Sequence, residues 1–140
     1  MLIRILCVGR CKEPWLATAL AHYVTRSRPY VRVEWEEVAD EEPLAKVAER
    51  PSTFGLDPQG TLMNSEGWSH WLTRSLELQG SSLTLCIGGA EGFSASLRRQ
   101  LGQRLISLSP LTMTHQIVRV VLAEQIYRAM LIAHGHPYHK

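Results

Sequence analysis

A chain of 140 residues is one domain's worth of sequence, and a hydrophobic fraction of 45% suits a core that buries roughly two-thirds of the unfolded surface without disulfides or a structural metal. No apolar run approaches the roughly 18 residues of a membrane span. A net charge of +2 permits a nucleic-acid partner without arguing for one. The three cysteines, Cys7, Cys11 and Cys86, have no metal or redox spacing and read as reduced cytoplasmic thiols acting as small hydrophobes.

In chain order, Leu2–Val8 is a short apolar run closed by Gly9, which predicts a buried first strand rather than a signal peptide. Residues 15–26 place Trp15, Leu16, Ala19, Leu20, Tyr23 and Val24 at helical spacing, with Pro14 at the start. Residues 31–35 alternate apolar and polar as a half-exposed strand does. A short helix is expected over 42–49, ended by Pro51, and a short strand over 53–56.

Ser65 is the candidate cap of a helix carrying Trp68, Trp71, Leu72 and Leu76, which Gly80 terminates. Ser82–Ile87 is the clearest strand and runs straight into Gly88 and Gly89. Ser94 is placed to cap the next helix, 105–108 forms a short strand, and a long helix spans 115–134 before Gly135. In that last helix Glu124 and Arg128 are spaced for a stabilising surface pair. Val120, Tyr127 and Leu131 make it apolar beyond one face, as in a helix that is central or shared with a partner.

Alternating strands and helices predict one α/β domain over 1–140 with a mainly parallel sheet, whose ligands bind beyond the carboxyl ends of the strands. The loops after Leu56, Ile87 and Leu108 are therefore the candidate site. Gly88-Gly89-Ala90-Glu91-Gly92 lets the backbone approach a ligand, yet it is neither a P-loop nor a G-x-G-x-x-G fingerprint. Residues 108–115 mix apolar and hydroxyl side chains without charge, as pocket linings do. Arg98, Arg99 and Arg104 form one basic cluster, and Arg119 and Arg128 another. His134, His136 and His139 stand close in sequence, but Gly135 and Pro137 between them deny a fixed ligand face, so no metal site is assigned. The tail instead suits stacking on RNA. No nucleophile triad or carboxylate pair stands out.

The segments 87–93, 105–113, 115–129 and 136–139, with Val8-Gly9, Lys12-Glu13, Trp15 and Leu56-Asp57-Pro58-Gln59-Gly60, resemble the RlmH family of SPOUT-class methyltransferases, which modify N3 of a pseudouridine in large-subunit ribosomal RNA. The resemblance spans nearly the whole chain. It implies a SPOUT-type parallel sheet flanked by helices with a C-terminal trefoil knot, S-adenosylmethionine as cofactor, and a site completed across a homodimer. Carried over by position, Leu56, Gly88, Leu108, Ser109, Pro110, Leu111, Thr112 and Met113 are the expected cofactor contacts. Arg119, Tyr138 and His139 are the candidate RNA contacts, with Tyr138 and His139 beside the partner's pocket.

Three departures stand out. Ala90 replaces the usual proline, Thr114-His115-Gln116 replaces the family's Pro-His-Pro or Pro-His-Gln, and the stretch between about Asp40 and Phe54 is markedly shorter. The low charge suggests the assembled ribosome as substrate. The N3 proton must leave, and His115 and His139 are conceivable acceptors, but no general base is assigned. The alternative is a non-catalytic ribosome- or RNA-binding protein that keeps the fold.

Overall fold

Strand residues alternate in the side of the sheet they serve. Ile3, Ile5 and Cys7 of β1 (Leu2–Val8), with Leu83, Leu85 and Ile87 of β4 (Ser82–Ile87), join one core cluster, while Leu6 and Cys86 join a second. Both strands are thus apolar on both faces, the pattern of a central parallel strand covered by helices on each side. The computed structural model describes residues 1–139, so Lys140 of the tail lies outside the described residues.

All described strands join one parallel sheet in the order β2-β1-β4-β3-β5, where β2 is Arg32–Val38, β3 Thr53–Leu62 and β5 Leu105–Ser107. The chain leaves β1 for one edge of the sheet and leaves β4 for the other, so the carboxyl ends of these neighbours form a crevice of the kind that binds ligands. Helices α1 (Pro14–Ser27), α3 (Ser65–Leu78) and α5 (Ile117–Ala133) lie together on one side, with α5 in the middle. The short helices α2 (Glu42–Val47) and α4 (Ala95–Leu101) cover the other side around Leu44, Phe93, Leu97 and Leu101.

The predicted elements are present, with local corrections. Asn64, not Ser65, caps α3, its side chain accepting from the Gly67 N–H at 2.8 Å. Helix α5 begins at Ile117 instead of 115, because Thr114 Oγ1 accepts from the Ile117 N–H and starts the helix there. β3 runs to Leu62 rather than stopping at Leu56. Its pairing with β5 shifts register between Leu56 and Thr61, so residues 57–60 bulge from a strand that continues beyond them. A bulge interrupts the alternating pattern from which strands are read, and Pro58 and Gly60 hide the continuation. Gly60 is required there, since a Cβ would stand 2.7 Å from the backbone of Ile106.

The apolar surround of α5 has an intramolecular cause. Leu122, Ile126, Ala129 and Met130 enter the main core, and Tyr127 and Leu131 are buried as well. Helix α3 is tied to it by Trp68 Nε1 donating to Gln125 O at 2.9 Å and Ser69 Oγ to Ala129 O at 2.6 Å. The helix is central, so its composition no longer argues for a partner. Burial pushes the Cys7 and Cys86 thiols up to about 12, which keeps both as inert neutral groups near neutral pH.

Candidate cofactor site

Three segments meet beyond the carboxyl ends of β3, β4 and β5 and enclose a cavity of about 370 Å³. Leu56, Asp57, Pro58 and Gln59 come from the bulge, and residues 87–92 from the glycine turn. Leu108, Ser109, Leu111, Thr112 and Met113 come from the uncharged loop, with His115 and Val118 behind it. These are the three loops chosen from sequence. Of the eight expected cofactor contacts, Leu56, Gly88, Leu108, Ser109, Leu111, Thr112 and Met113 line the cavity, and Pro110 is exposed and does not.

Local chemistry explains each wall. A Cβ on Gly88 would stand 2.8 Å from the Gly92 carbonyl carbon, so only glycine lets the turn fold back on itself. The turn is closed by the Gly92 N–H donating to Gly89 O at 2.9 Å. Ser107 Oγ bonds Pro58 O and Ser109 O, joining the bulge to the uncharged loop. Ser109 Oγ in turn accepts from the Leu111 N–H at 3.0 Å. Beside them the buried carboxylate of Asp57 lies 3.0 Å from Arg98 Nε and also accepts from the Gln59 N–H. Asp57, Arg98 and Val118 also line the cavity, although no local sequence signal marks them as site residues. Arg98 was hidden in a basic cluster whose three members have separate fates, and only the fold separates them.

Arg119 requires a correction. It is 1% exposed, and its guanidinium donates to Glu37 at 2.8 Å, to Gly9 O at 2.8 Å and to His115 O at 3.1 Å. It clamps the start of α5 to the ends of β1 and β2 and offers nothing to RNA. Glu37, which also accepts from the Cys11 N–H, is the missed partner.

Tyr138 and His139 do not line the cavity. Tyr138 packs edge-on against Tyr127 with ring centres 5.0 Å apart and donates to Glu124 at 3.2 Å. His139 contacts Arg128 at 3.0 Å and Glu66 at 3.1 Å. The Glu124–Arg128 pair, closed at 2.6 Å, is therefore the half-buried anchor of the tail rather than a free surface pair. Glu124 and burial together raise the Tyr138 phenol above its ordinary value, burial contributing most. His134 turns away to Met130 O, and among the described residues no cluster of His, Cys, Asp and Glu could hold a metal.

A second, outer groove of about 760 Å³ adjoins the cavity. Lys12, Glu13, Trp15, Leu16, Thr114, Gln116 and Ile117 line it, and it shares Ala90 and His115 with the inner cavity. Trp15 and Ile117 are exposed there, as is Leu111 at the inner mouth. A half-open cavity adjoining a wider groove with exposed apolar side chains suits an enzyme that holds a small cofactor in one and a larger substrate in the other.

Comparison with known proteins gives that class a name. The family model described as "Predicted SPOUT methyltransferase" matches residues 1–139, and the chain belongs to that family. Among similar proteins, the "Ribosomal RNA large subunit methyltransferase H" of Pelobacter propionicus is 41% identical over 153 residues, covering 99% of each chain. The protein of the same name from Protochlamydia amoebophila is 42% identical over 139 residues, covering 99% of this chain and 98% of its own. The Streptococcus agalactiae protein aligns over 160 residues at 33% identity and full coverage of both. The matches thus extend over 139 to 160 aligned residues, and the Protochlamydia protein is close to this chain in length. A crystal structure of a candidate RNA methyltransferase from Bacillus anthracis superposes with a TM-score of 0.56 at 9% identity, covering 99% of this chain and 97% of that one, which supports the fold alone.

Proposed function

We propose that the chain transfers a methyl group from S-adenosylmethionine to N3 of a pseudouridine in large-subunit ribosomal RNA, acting as a cytoplasmic homodimer on the assembled ribosome. The observation that carries this reading is the cavity in which the bulge, the glycine turn and the uncharged loop meet. Its volume lies within the roughly 300–1,000 Å³ of small-molecule sites. Leu56, Leu111, Met113 and Val118 offer apolar surface to a flat base, and the backbone of the turn and the loop offers donors and acceptors. The residues present thus fit the cofactor, which supplies an activated methyl group.

The chain's own part is positioning. It holds the acceptor nitrogen at the boundary of inner cavity and outer groove. Tyr138 and His139 pack against Glu124 and Arg128 of α5 and Glu66 of α3 and line no cavity in their own chain, so a second copy is the means by which they reach one. The exposed Trp15, Ile117 and Leu111 are apolar surface suited to cover by a partner. No helix among the described residues is long and apolar enough to cross a membrane.

Calorimetry with S-adenosylmethionine and transfer of labelled methyl groups to ribosomal particles test the proposal. Binding with transfer to large-subunit RNA supports it. Binding to ribosomes without cofactor binding or transfer would indicate a non-catalytic ribosome-associated protein. Light scattering that finds a stable monomer at micromolar concentration would remove the dimer.

A further inference from the structure

His115 occupies the boundary between the two cavities and lines both. Its surroundings fix more than its position. The Gln116 side chain accepts from the Lys12 N–H through Oε1 at 3.3 Å and donates to Arg10 O through Nε2 at 2.7 Å. Flipping the amide would set oxygen against carbonyl oxygen and N–H against N–H, so the backbone at Arg10 and Lys12 dictates which end is the donor. The same Gln116 Nε2 lies 3.1 Å from His115 Nε2. An amide nitrogen carries two hydrogens and no acceptor, so His115 Nε2 is the accepting nitrogen and the ring proton resides on Nδ1.

A charged imidazolium would place N–H against N–H at that contact. Three cations or donors therefore oppose a second proton: the Gln116 amide, Lys12 from the loop after β1 and Arg119 from α5, whose charge Glu37 of β2 partly offsets. Burial first, then Arg119 and Lys12, holds the imidazole pKa below its ordinary value of 6.5. The Nε2 and Cδ2 edge faces Gly9, and Nδ1 has no hydrogen-bond partner among the described residues.

We infer that His115 is a neutral hydrogen-bond donor to the reacting base rather than its general base, with Gln116 as the positioning residue that locks the donor tautomer. The inference rests on the proposed N3 methylation. In that reaction the N3–H bond breaks and the proton passes to solvent water. The electron pair remains on the imide and spreads onto the two carbonyl oxygens flanking N3. N3 then bonds the methyl carbon as the methyl–sulfur bond breaks with its pair kept by sulfur. A donor at one of those carbonyl oxygens stabilises the imide anion, and Lys12 in the groove adds a favourable field. A fixed neutral donor aimed at developing oxyanion charge costs no reorganisation when the charge appears.

The experiment has two arms on the full-length protein. Nitrogen NMR of the imidazole reads the tautomer directly. A protonated Nδ1 at pH 7 is expected, which Gln116→Glu should shift toward a protonated Nε2. A protonated Nε2 in the unsubstituted chain overturns the inference. The second arm compares methyl transfer to ribosomes. Asparagine places its amide nitrogen where Nδ1 stands, whereas glutamine mimics Nε2. At saturating cofactor, His115→Asn should keep transfer within about tenfold of the parent, while His115→Ala and His115→Gln lose on the order of a hundredfold. Equal losses in Asn and Ala variants would make His115 a base and defeat the donor role. Absence of transfer by the unsubstituted chain would defeat the proposed activity instead, and the tautomer measurement would still decide the lock.

Discussion

Arg119 and Arg128 sit nine positions apart on the same helix and are embedded in opposite ways. Arg119, at the cavity end, is sealed from water and spends its guanidinium on Glu37 and on backbone carbonyls of β1 and of the residues entering α5. Arg128, further along, keeps a quarter of its side chain exposed and holds Glu124, the face of Tyr138 at 5.0 Å and His139. Its hydrogen bond to Glu124 raises an already high pKa further. The pair teaches that a cluster of basic residues in sequence carries no information on which cation is free. One is a bolt in the scaffold, and the other anchors the tail that the proposed function turns toward RNA.

The comparison is broken most sharply at Arg119. Arg119→Ala removes every donor of the clamp and should cost about 3 kcal/mol of stability by chemical denaturation, at the low end for a buried pair because Glu37 is half exposed. Arg119→Lys should recover only part, since one ammonium group cannot reach carboxylate and carbonyls together. A loss below about 0.5 kcal/mol for the alanine variant would show that the clamp is idle.

Next comes the glycine turn of the cavity wall. Gly88→Val forces the glycine turn apart at Gly92 and should weaken S-adenosylmethionine binding at least tenfold, about 1.4 kcal/mol, with the fold retained. Equal affinities by titration calorimetry would remove Gly88 from the site.

At the tail, deleting 137–140 removes the docked Tyr138. Loss of the packing on Tyr127 and the bond to Glu124 should cost about 1 kcal/mol. Cofactor affinity should hold, and methyl transfer to ribosomes should fall sharply. Unchanged transfer would withdraw Tyr138 and His139 from the RNA site, and loss of cofactor affinity would make the tail a support of the pocket.

The smallest effect is a pH dependence at His115. Its folded-state pKa is depressed below 6.5, so the unfolded chain takes up that proton first as pH falls. The stability due to this group is complete above about pH 7 and drains as pH drops below 6.5. Between pH 7 and pH 5.5, the parent should lose slightly more stability than His115→Asn in parallel denaturant titrations. Identical curves would mean the imidazole is not held neutral.

Periodicity in the sequence was sufficient for the alternating elements, for the parallel sheet and for the three loops of the cavity. Apolar runs such as Leu2–Val8 and Ser82–Ile87 and glycine turns are local signals tied to backbone geometry. The recurring motifs of 87–93, 105–113 and 115–129 carried the family, because several ordered motifs rarely coincide. What tertiary structure alone decided was the use of each polar group. The bulge of β3 that presents Asp57, the burial of Arg119 by Glu37 from a strand 82 positions earlier, the separation of Arg98 from Arg104, and the amide lock on His115 all join residues distant in the chain. A charged or amide side chain reads the same in sequence whether solvated or spent. Its partner is set by how strands and helices cross, and that is a property of the packed fold.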